Sequence, residues 1–495
     1  MGLDSAFSIA NGGLANIQAQ LAVLSQNVAN ASTPGYTQEV TTQTAVTANG
    51  AGLGVRTGPA VLDINRVLQA SVLQQNTIVS GLQTTQTALQ PIDSVLGTPG
   101  SGSDIGSLLG KLQSSFSTLL TDPSSQPQQS AVVAAASNLA QGINTLSNAY
   151  VTQAQAAQTN LQTAVKTLNT TLGSISQLNV QIANLKAAGQ STADAENQRN
   201  AAVTTLSSLL QISTVEQPNG MLQIFTPNGM TIPTDGGGST FAIAQGSTAP
   251  IASAPGGGMP DASNLTITLN GQPVTGHMTG GQIGADLTLL QQTLPTDQAE
   301  LDEFAYGLAT RFANQGLTLF TDGAGDVPAA ASGGAPTQTN YVGFSGAIQV
   351  NPAVTANPAL VRDGTPSVNA SAAAGFTTLI SGVLTGTFGD GPPLATTGLG
   401  ASGTLTAPFA ATTTLAAYAG NLVAAQSQQS ATVSGDLSTQ QALQTSLAAK
   451  LNSGSGVNMD TEMSRMLTLQ SAYSVNAKII ATIQSMFNQL LQAIP

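Results

Sequence analysis

Few side chains in this chain are of types that do chemistry, and their spacing assembles no site. The 495 residues include one histidine, His277, and no cysteine. A zinc centre needs several His or Cys ligands, so thiolate metal sites and disulfides are excluded. His277 stands in a Gly- and Thr-rich turn with no Ser/His/Asp arrangement recognisable around it. Asp322-Gly323-Ala324-Gly325-Asp326 brings two carboxylates together. It lacks the alternating ligands and closing Glu of a calcium loop and reads as a solvated turn. Gly236-Gly237-Gly238 is followed by no Lys and has no strand-to-helix context, so it reads as a loop and not a phosphate cradle. Asp460 and Glu462 fall where a C-terminal helix begins, and carboxylates there favour the helix dipole and its unpaired N–H groups. They read as caps. The sequence therefore predicts no catalytic residue, no cofactor and no metal.

Composition narrows the class further. Only 7% of residues are charged, against about 25% in ordinary soluble proteins, and Gln, Asn, Ser, Thr, Ala and Gly take their place. The expected surface is polar but nearly uncharged, able to lie against copies of itself without like-charge repulsion. With a net charge of −12 and 11 basic residues spread thinly, no cationic patch exists to neutralise phosphates, so a nucleic-acid partner is not expected. The first basic residue is Arg56, which is unlike the positive start of a secretory signal peptide. No apolar run approaches the ~20 residues that span a bilayer, so no membrane span is expected.

The elements that dominate the pattern are the two ends. Phe7, Ala10, Leu14, Ile17, Leu21, Leu24, Val28 and Ala31 alternate spacings of three and four, which places them on one helical face. Met466, Leu469, Tyr473, Asn476, Ile480, Ile483, Phe487, Leu490 and Ile494 repeat the pattern at the other end. Met463, Ala477 and Leu491 flank that second stripe, making it wider than a two-stranded seam and suited to partners on more than one side. Pattern alone leaves two readings open: packing between subunits, or an N/C helix pair within an ordinary monomer.

Between the ends, the period alternates. Residues 38–65 read as short extended segments; 66–93, 104–120, 128–148 and 150–188 as helices. In the last, Leu161, Val165, Leu168, Leu172, Ile175 and Ile182 keep heptad spacing, with Asn179 as the one polar seam position. Strands are expected at 221–225 and 265–271, a long loop at 235–260, helix from Gly284 to Asn314 interrupted at Pro295, and a strand-containing stretch at 341–350. A further helix at 412–450 leads into Asn452-Ser453-Gly454-Ser455-Gly456, read as a flexible joint. The fold expected is mainly α, a discontinuous multi-domain arrangement of terminal coiled-coil helices, an elongated helical bundle and a β-containing central insert. Its parts are 1–45 with 455–495 as the terminal core, 46–220 with 280–320 and 410–454 as the helical rod, and 221–279 and 321–409 as β-containing or irregular outer segments.

The first helix stops at Asn27-Val28-Ala29-Asn30-Ala31-Ser32-Thr33-Pro34-Gly35-Tyr36-Thr37, where Pro34 prevents helix continuation and Gly35 permits the turn. This segment resembles the N-terminal signature of bacterial flagellar axial proteins, the family of rod, hook and junction subunits. Its motif turn is carried by Asn27, Asn30, Thr33, Pro34, Gly35 and Tyr36. Residues 455–463 and 469–480 resemble the matching end signature. The length, Gly52-Leu53-Gly54-Val55, Ile64-Asn65-Arg66, Asn197-Gln198-Arg199-Asn200 and Gly280-Gly281-Gln282-Ile283-Gly284-Ala285 are similar to the junction members in particular. Departures are Gln38-Glu39, where the family often has a basic residue, and Val67-Leu68-Gln69, where it often has an Asp.

What the resemblance implies is a non-enzymatic structural subunit. The terminal helices would pack as a coiled-coil inner tube through Leu14, Ile17, Leu21, Leu24 and Val28 with Met466, Leu469, Tyr473, Ile480, Ile483, Phe487 and Leu490. Helical sections would form the next shell. The implied partners are copies of itself in a ring or helical array, hook protein on one side and a second junction protein on the other. Export to the extracellular flagellum without a cleaved signal peptide follows from the same resemblance. The apolar C-terminal helix is also expected to bind a cytosolic export chaperone. A hook or distal rod protein is the alternative within the family. A secreted adhesin or flagellum-associated hydrolase is the alternative outside it, though neither an anchor nor a catalytic constellation is found.

Overall fold

The computed structural model describes residues 2–48, 51–97, 100, 102–234, 238, 240–245, 265–329 and 337–492. Most of the 235–260 loop, part of the Gly236–Gly238 run and Ile494 lie outside them. The chain opens with helix α1 (Leu3–Asn30) and an antiparallel hairpin of β1 (Glu39–Ala48) and β2 (Ala51–Leu62). Then come α2 (Arg66–Leu96), α3 (Ile105–Thr121), α4 (Gln126–Ala187) and α5 (Ala193–Leu209). Two small antiparallel sheets follow: β3 (Ser213–Glu216), β4 (Leu222–Phe225) and β5 (Thr231–Ile232), then β6 (Phe241–Gln245), β7 (Leu265–Leu269) and β8 (Gln272–Pro273). Helices α6 (Gly281–Thr288) and α7 (Leu294–Asn314) precede a stretch of short helices and two-stranded pairings. The chain closes with α8 (Leu415–Ser455) and α9 (Met459–Gln492). It is mainly helical, with its terminal helices packed together and only small sheets.

Several elements differ from their expected limits for identifiable reasons. The helices expected at 128–148 and 150–188 are one helix of 62 residues, because Ala149-Tyr150-Val151 contains no breaker and Tyr150 is fully buried. The interruption expected at Pro295 takes the form of a π-helical turn at Leu289–Thr293, which joins α6 to α7 with Pro295 in the first turn of α7. Residues 38–65 form one long hairpin, and the 341–350 stretch keeps only Gln349–Val350 as strand. The expected flexible joint at 452–456 is helical to Ser455 and tied down. Gln38 donates its N–H to Ser455 O at 2.8 Å, and Asn65 donates its N–H to Ser455 Oγ at 3.2 Å.

Uncharged side chains do much of the helix-to-helix bonding that salt bridges do elsewhere. Gln75 Nε2 on α2 donates to Gln440 O and Oε1 on α8 at 3.0 and 2.7 Å, and Gln444 Nε2 donates to Asn76 Oδ1 at 3.1 Å. Asn76 and Thr77 in turn bond Ser207 of α5. Along the exposed face of α4, Thr145, Thr152, Thr159, Thr163 and Thr167 each donate to the carbonyl four residues back, which satisfies the hydroxyls without breaking the helix. The Gly280-Gly281 pair has a steric reason. A Cβ on Gly281, whose φ is +60°, would meet the Leu209 carbonyl carbon at 2.6 Å, so only glycine lets α6 start against the end of α5.

The heptad positions Leu161, Val165, Leu168, Leu172, Ile175 and Ile182 are all buried on α4, and so is Asn179. Asn179 works as a buried hub: its Nδ2 donates to Leu222 O at 2.9 Å and Thr234 O at 3.2 Å. Its Oδ1 accepts from Leu222 N at 3.0 Å and from Arg199 Nη1 at 3.1 Å. Arg199 also donates to Gly220 O at 2.6 Å. The first sheet is thereby bolted to α4 and α5, and Leu222, Ile224, Ile232, Leu265 and Ile267 enter the same continuous core as the helices. Asn179→Ala removes partners from several buried groups at once and is expected to cost about 2–4 kcal/mol, read as a lower urea midpoint with an unchanged m-value.

Helix α7 is buried on nearly every side yet carries Asp297, Glu300, Asp302 and Glu303. Two of these organise the following chain. Asp302 accepts from Gly343 N, Ser345 N, Ser345 Oγ and Gln298 Nε2, and Glu303 accepts from Tyr341 Oη and Ala395 N. Burial pushes Glu300 up to about 8, with Gln426 opposing the shift, and Asp286 on α6 up to about 7, while Asp297 is held well above the usual range. Folding therefore keeps protons that the unfolded chain releases near pH ~4. The stability from these groups is full below that pH and is lost as pH rises through 7 to 8. The urea midpoint should fall between pH 5.5 and pH 8.5, and Glu300→Gln should flatten that fall; a level profile in the parent chain would contradict the burial.

Candidate assembly interface and its joint

The N-terminal motif is built around one carboxamide. Asn27, in the last turn of α1, donates from Nδ2 to Glu39 O at 2.9 Å and accepts at Oδ1 from Glu39 N at 3.0 Å. It thus occupies both backbone groups of the first residue of β1. The same oxygen accepts from Tyr36 Oη at 3.2 Å, and the same nitrogen reaches Glu462 Oε2 on α9 at 3.4 Å. An amide has two donors and two acceptor lone pairs, and all are used here. Between Asn27 and Glu39 the chain turns through Thr33-Pro34-Gly35, all exposed, with Gly35 at φ +79°. Asn30 Nδ2 donates to Gln26 O at 3.1 Å, and Thr33 N donates to Asn30 O at 2.9 Å. These bonds close the end of the helix.

Glu462 does more than cap. It is 0% exposed and accepts from Gln38 Nε2 at 2.6 Å as well as from Asn27, with Arg465 Nη1 3.6 Å away. The helix terminus is served instead by Asn458, whose Oδ1 accepts from the N–H groups of Asp460 and Thr461. Sequence spacing could not tell Glu462 from Asp460, because both lie in the first turn of α9 and only the fold brings Gln38 to one of them. The departure at Gln38-Glu39 also has its explanation here: both side chains face acceptors and donors of the joint, not solvent.

Helix α5 holds the other side of the motif. Thr37 N donates to Asn197 Oδ1 at 3.0 Å while Asn197 Nδ2 donates to Thr37 O at 3.1 Å, a second carboxamide pairing with backbone. Gln26 Nε2 bonds Asp194 Oδ1, and Ser191 Oγ donates to Ala60 O on β2 at 3.1 Å. Burial, then the neighbouring Glu39 and Asp194 charges, drive the Tyr36 phenol well above its usual range. The joint thus links α1, the hairpin, α5 and α9. Asn27→Ala opens it from the centre, and chymotryptic cleavage after Tyr36 should speed up on the order of 10-fold or more without global unfolding.

Along the terminal pair, α1 lies against α9. Ala10, Ile17 and Leu24 are buried, and Phe7, Leu14, Leu21, Val28 and Ala31 are half-buried. On α9, Ile483 is buried; Met466, Leu469, Asn476, Ile480 and Phe487 are half-buried; Tyr473 and Leu490 are exposed. A second apolar row that the stripe did not include faces solvent: Leu467 is 62%, Val475 56% and Leu491 69% exposed, joined by Met463, Ile479 and Met486. Met463 and Leu491 are the positions noted beside the stripe, and Met463, Leu467, Val475 and Ile479 follow one i, i+4 row through Ser471.

No grouping of His, Asp and Glu able to hold a metal occurs among the described residues, and no helix there is long and apolar enough to cross a membrane. His277 lies half-buried in the turn Thr275–His277. Asp322 Oδ1 accepts from Ala324 N and Asp326 N, closing a turn on itself.

A polar joint between a terminal helix pair and a helical body, with a bare apolar ridge along the pair, defines an axial polymer subunit. Comparison agrees. Residues 89–325 match the family described as flagellar hook-associated protein FlgK helical domain. Residues 7–37 match flagella basal body rod protein, and residues 450–493 match flagellar basal body rod FlgEFG protein C-terminal. Over residues 89–325, just under half of its length, the chain belongs to the FlgK helical-domain family, a structural flagellar family, and its ends carry rod-type motifs. It is 25% identical over 331 residues to flagellar hook-associated protein 1 of Salmonella typhimurium, covering 63% of this chain and 56% of that protein. Against the Escherichia coli protein of the same name it is 25% identical over 327 residues, 63% of this chain and 57% of that one. The match thus spans little more than half the length of these relatives. The structure of the flagellar hook junction protein FlgK from Burkholderia pseudomallei aligns at 24% identity and a TM-score of 0.42, over 53% of this chain and 46% of that one.

Proposed function

We propose that this chain is the subunit that joins hook to filament, assembling with copies of itself between hook protein and a second junction protein. The observation that carries the reading is the bare ridge of α9 beside a completed α1–α9 pair. Among the described residues Met463, Leu467, Val475, Ile479 and Met486 stay 44% or more exposed, and apolar side chains left this open along one helix are the kind of surface that a neighbouring subunit buries. The family of the helical body supports a junction role over a rod or hook role, and the relatives carry hook-associated names.

In this reading Leu14, Ile17, Leu21, Leu24 and Val28 with Met466, Leu469, Ile480, Ile483 and Phe487 hold the terminal pair. Tyr473, Leu490 and the bare ridge reach the adjacent copies. The terminal helices form the inner tube and residues 46–220, 280–320 and 410–454 the shell around it. Segments 221–279 and 321–409 face outward. Before assembly the same exposed apolar side chains are covered by a cytosolic export chaperone, and the chain leaves through the flagellar export channel.

A deletion strain should bear complete hooks without filaments and shed flagellin into the medium. Loss of the hook itself would move the assignment to rod or hook, and intact flagella would remove it. A sharper test is Leu467→Asp with Ile479→Asp. Both side chains are exposed, so the isolated chain should keep its stability to within about 0.5 kcal/mol. Burying two unpaired carboxylates between subunits costs several kcal/mol, so filament growth should stop. Normal motility in that variant would refute the assembly role of the ridge.

A further inference from the structure

One buried acid lies apart from the joint and fastens no other segment. Asp286, on α6, is 1% exposed, and among the described residues neither of its carboxyl oxygens has a hydrogen-bond partner. On α7, by contrast, Asp302 and Glu303 are hydrogen-bonded, and Glu300 has Gln426 beside it. A buried carboxyl without a partner is costly in either protonation state, so its place in the fold calls for a reason.

Asp286 borders a cleft of about 330 Å³ between α2, α4 and α6. The rim is exposed and uncharged, with Gln83 on α2 and Asn160 on α4. Below it come the half-buried amides Gln153 and Gln282, and the floor is Ala88, Ala157 and Asp286, all buried. No fixed charge answers the carboxyl. Helix α2 carries only Arg66, paired with Glu216, and Asp93; α4 carries only Lys166 and Lys186, and α6 nothing charged but Asp286 itself. None of these, and no charge from α5 or α7, acts on Asp286, which burial alone raises to about 7.

We propose that this cleft binds a primary alkylammonium group, with the ammonium against Asp286 and the alkyl chain over Ala88 and Ala157. The lining selects this chemistry. A lone carboxyl balances one positive charge, whereas a divalent metal would stay half-neutralised with only amides and hydroxyls to complete its shell, and no grouping able to hold a metal occurs among the described residues. An ammonium brings three N–H donors, for which the carboxyl and the amide oxygens of Gln153 and Gln282 are acceptors. The cleft is far larger than a bare ion needs, and its alanine methyls offer the chain apolar contact. The head group is the same whether it belongs to a free small amine or to a lysine side chain. Because the ammonium takes the place of a proton, binding needs the ionised carboxyl. Affinity is therefore weak at acid pH, rises with pH and levels off above about 7.

Calorimetric titration of the full-length chain with n-butylammonium chloride at fixed ionic strength tests the site. One saturable site is expected, with affinity about 30-fold higher at pH 8.5 than at pH 5.5, as a group titrating near 7 requires. Asp286→Asn keeps the size of the side chain and removes its charge, and should weaken binding by ~10-fold or more. Ala156→Leu, at an exposed position of the lining, should narrow the cleft and weaken binding too, and it serves where Asp286→Asn folds poorly. N-acetyl-lysine methylamide separates the two sources: binding as tight as that of n-butylammonium assigns the cleft to a lysine side chain, and binding of n-butylammonium alone assigns it to a free amine. The absence of saturable binding by either at pH 8.5 would overturn the proposal. So would undiminished affinity in both variants, or equal affinity for uncharged n-butanol.

Discussion

The structure depends on one requirement: a helix that must stop at Asn30 so that the next segment can lie back across its end. Stopping a helix leaves backbone groups unpaired, and starting a strand beside it exposes another set. Asn27 answers both by spending its carboxamide on the two backbone groups of Glu39. Because its remaining valences go to Tyr36 and Glu462, the same side chain decides where α9 begins to pack. The packing of the terminal helices and the attachment of the helical body therefore converge on a few ångströms of polar contacts. A joint made of amides and carboxyls is directional, which fixes the angle between the bodies in a way that an apolar contact would not.

The chain's lack of charge is the chemical counterpart of that design. Helix pairs are joined by Gln–Gln, Asn–Ser and Thr–carbonyl bonds, and even the buried Arg199 is spent on an amide and a carbonyl. Uncharged pairs carry a smaller desolvation cost when buried and create no field that would repel a stacked copy. On α6 and α7 burial raises the carboxyls of Asp286, Asp297 and Glu300, while Asp302 and Glu303 fasten the 341–345 and 395 segments through hydrogen bonds.

The apolar periodicity that brings α1 and α9 together was legible because a helix repeats every 3.6 residues whatever surrounds it. The heptads of α4, the Pro34-Gly35 stop and one strand of each small sheet were legible for similar local reasons, whereas β6 at Phe241–Gln245 falls in the Gly- and Ser-rich run expected to be a loop and exists only because it pairs with Leu265–Leu269. The fusion of two expected helices at Ala149-Tyr150-Val151 was not, since propensity near Tyr150 is indifferent and burial of its ring decides. Nor was the fastening of Ser455, whose Gly- and Ser-rich neighbourhood reads as loose until Gln38 and Asn65 arrive from more than 300 residues away.

By itself, then, the sequence determined the helical faces and the motif that ends α1, because each of these rests on contacts within a few residues. Tertiary structure alone decided which of two neighbouring carboxylates on α9 is buried, which amide on α5 meets Thr37 and Glu39, and which apolar side chains of α9 are left exposed. Those outcomes depend on side chains brought together from opposite ends of the chain, and no local spacing encodes the distance between them.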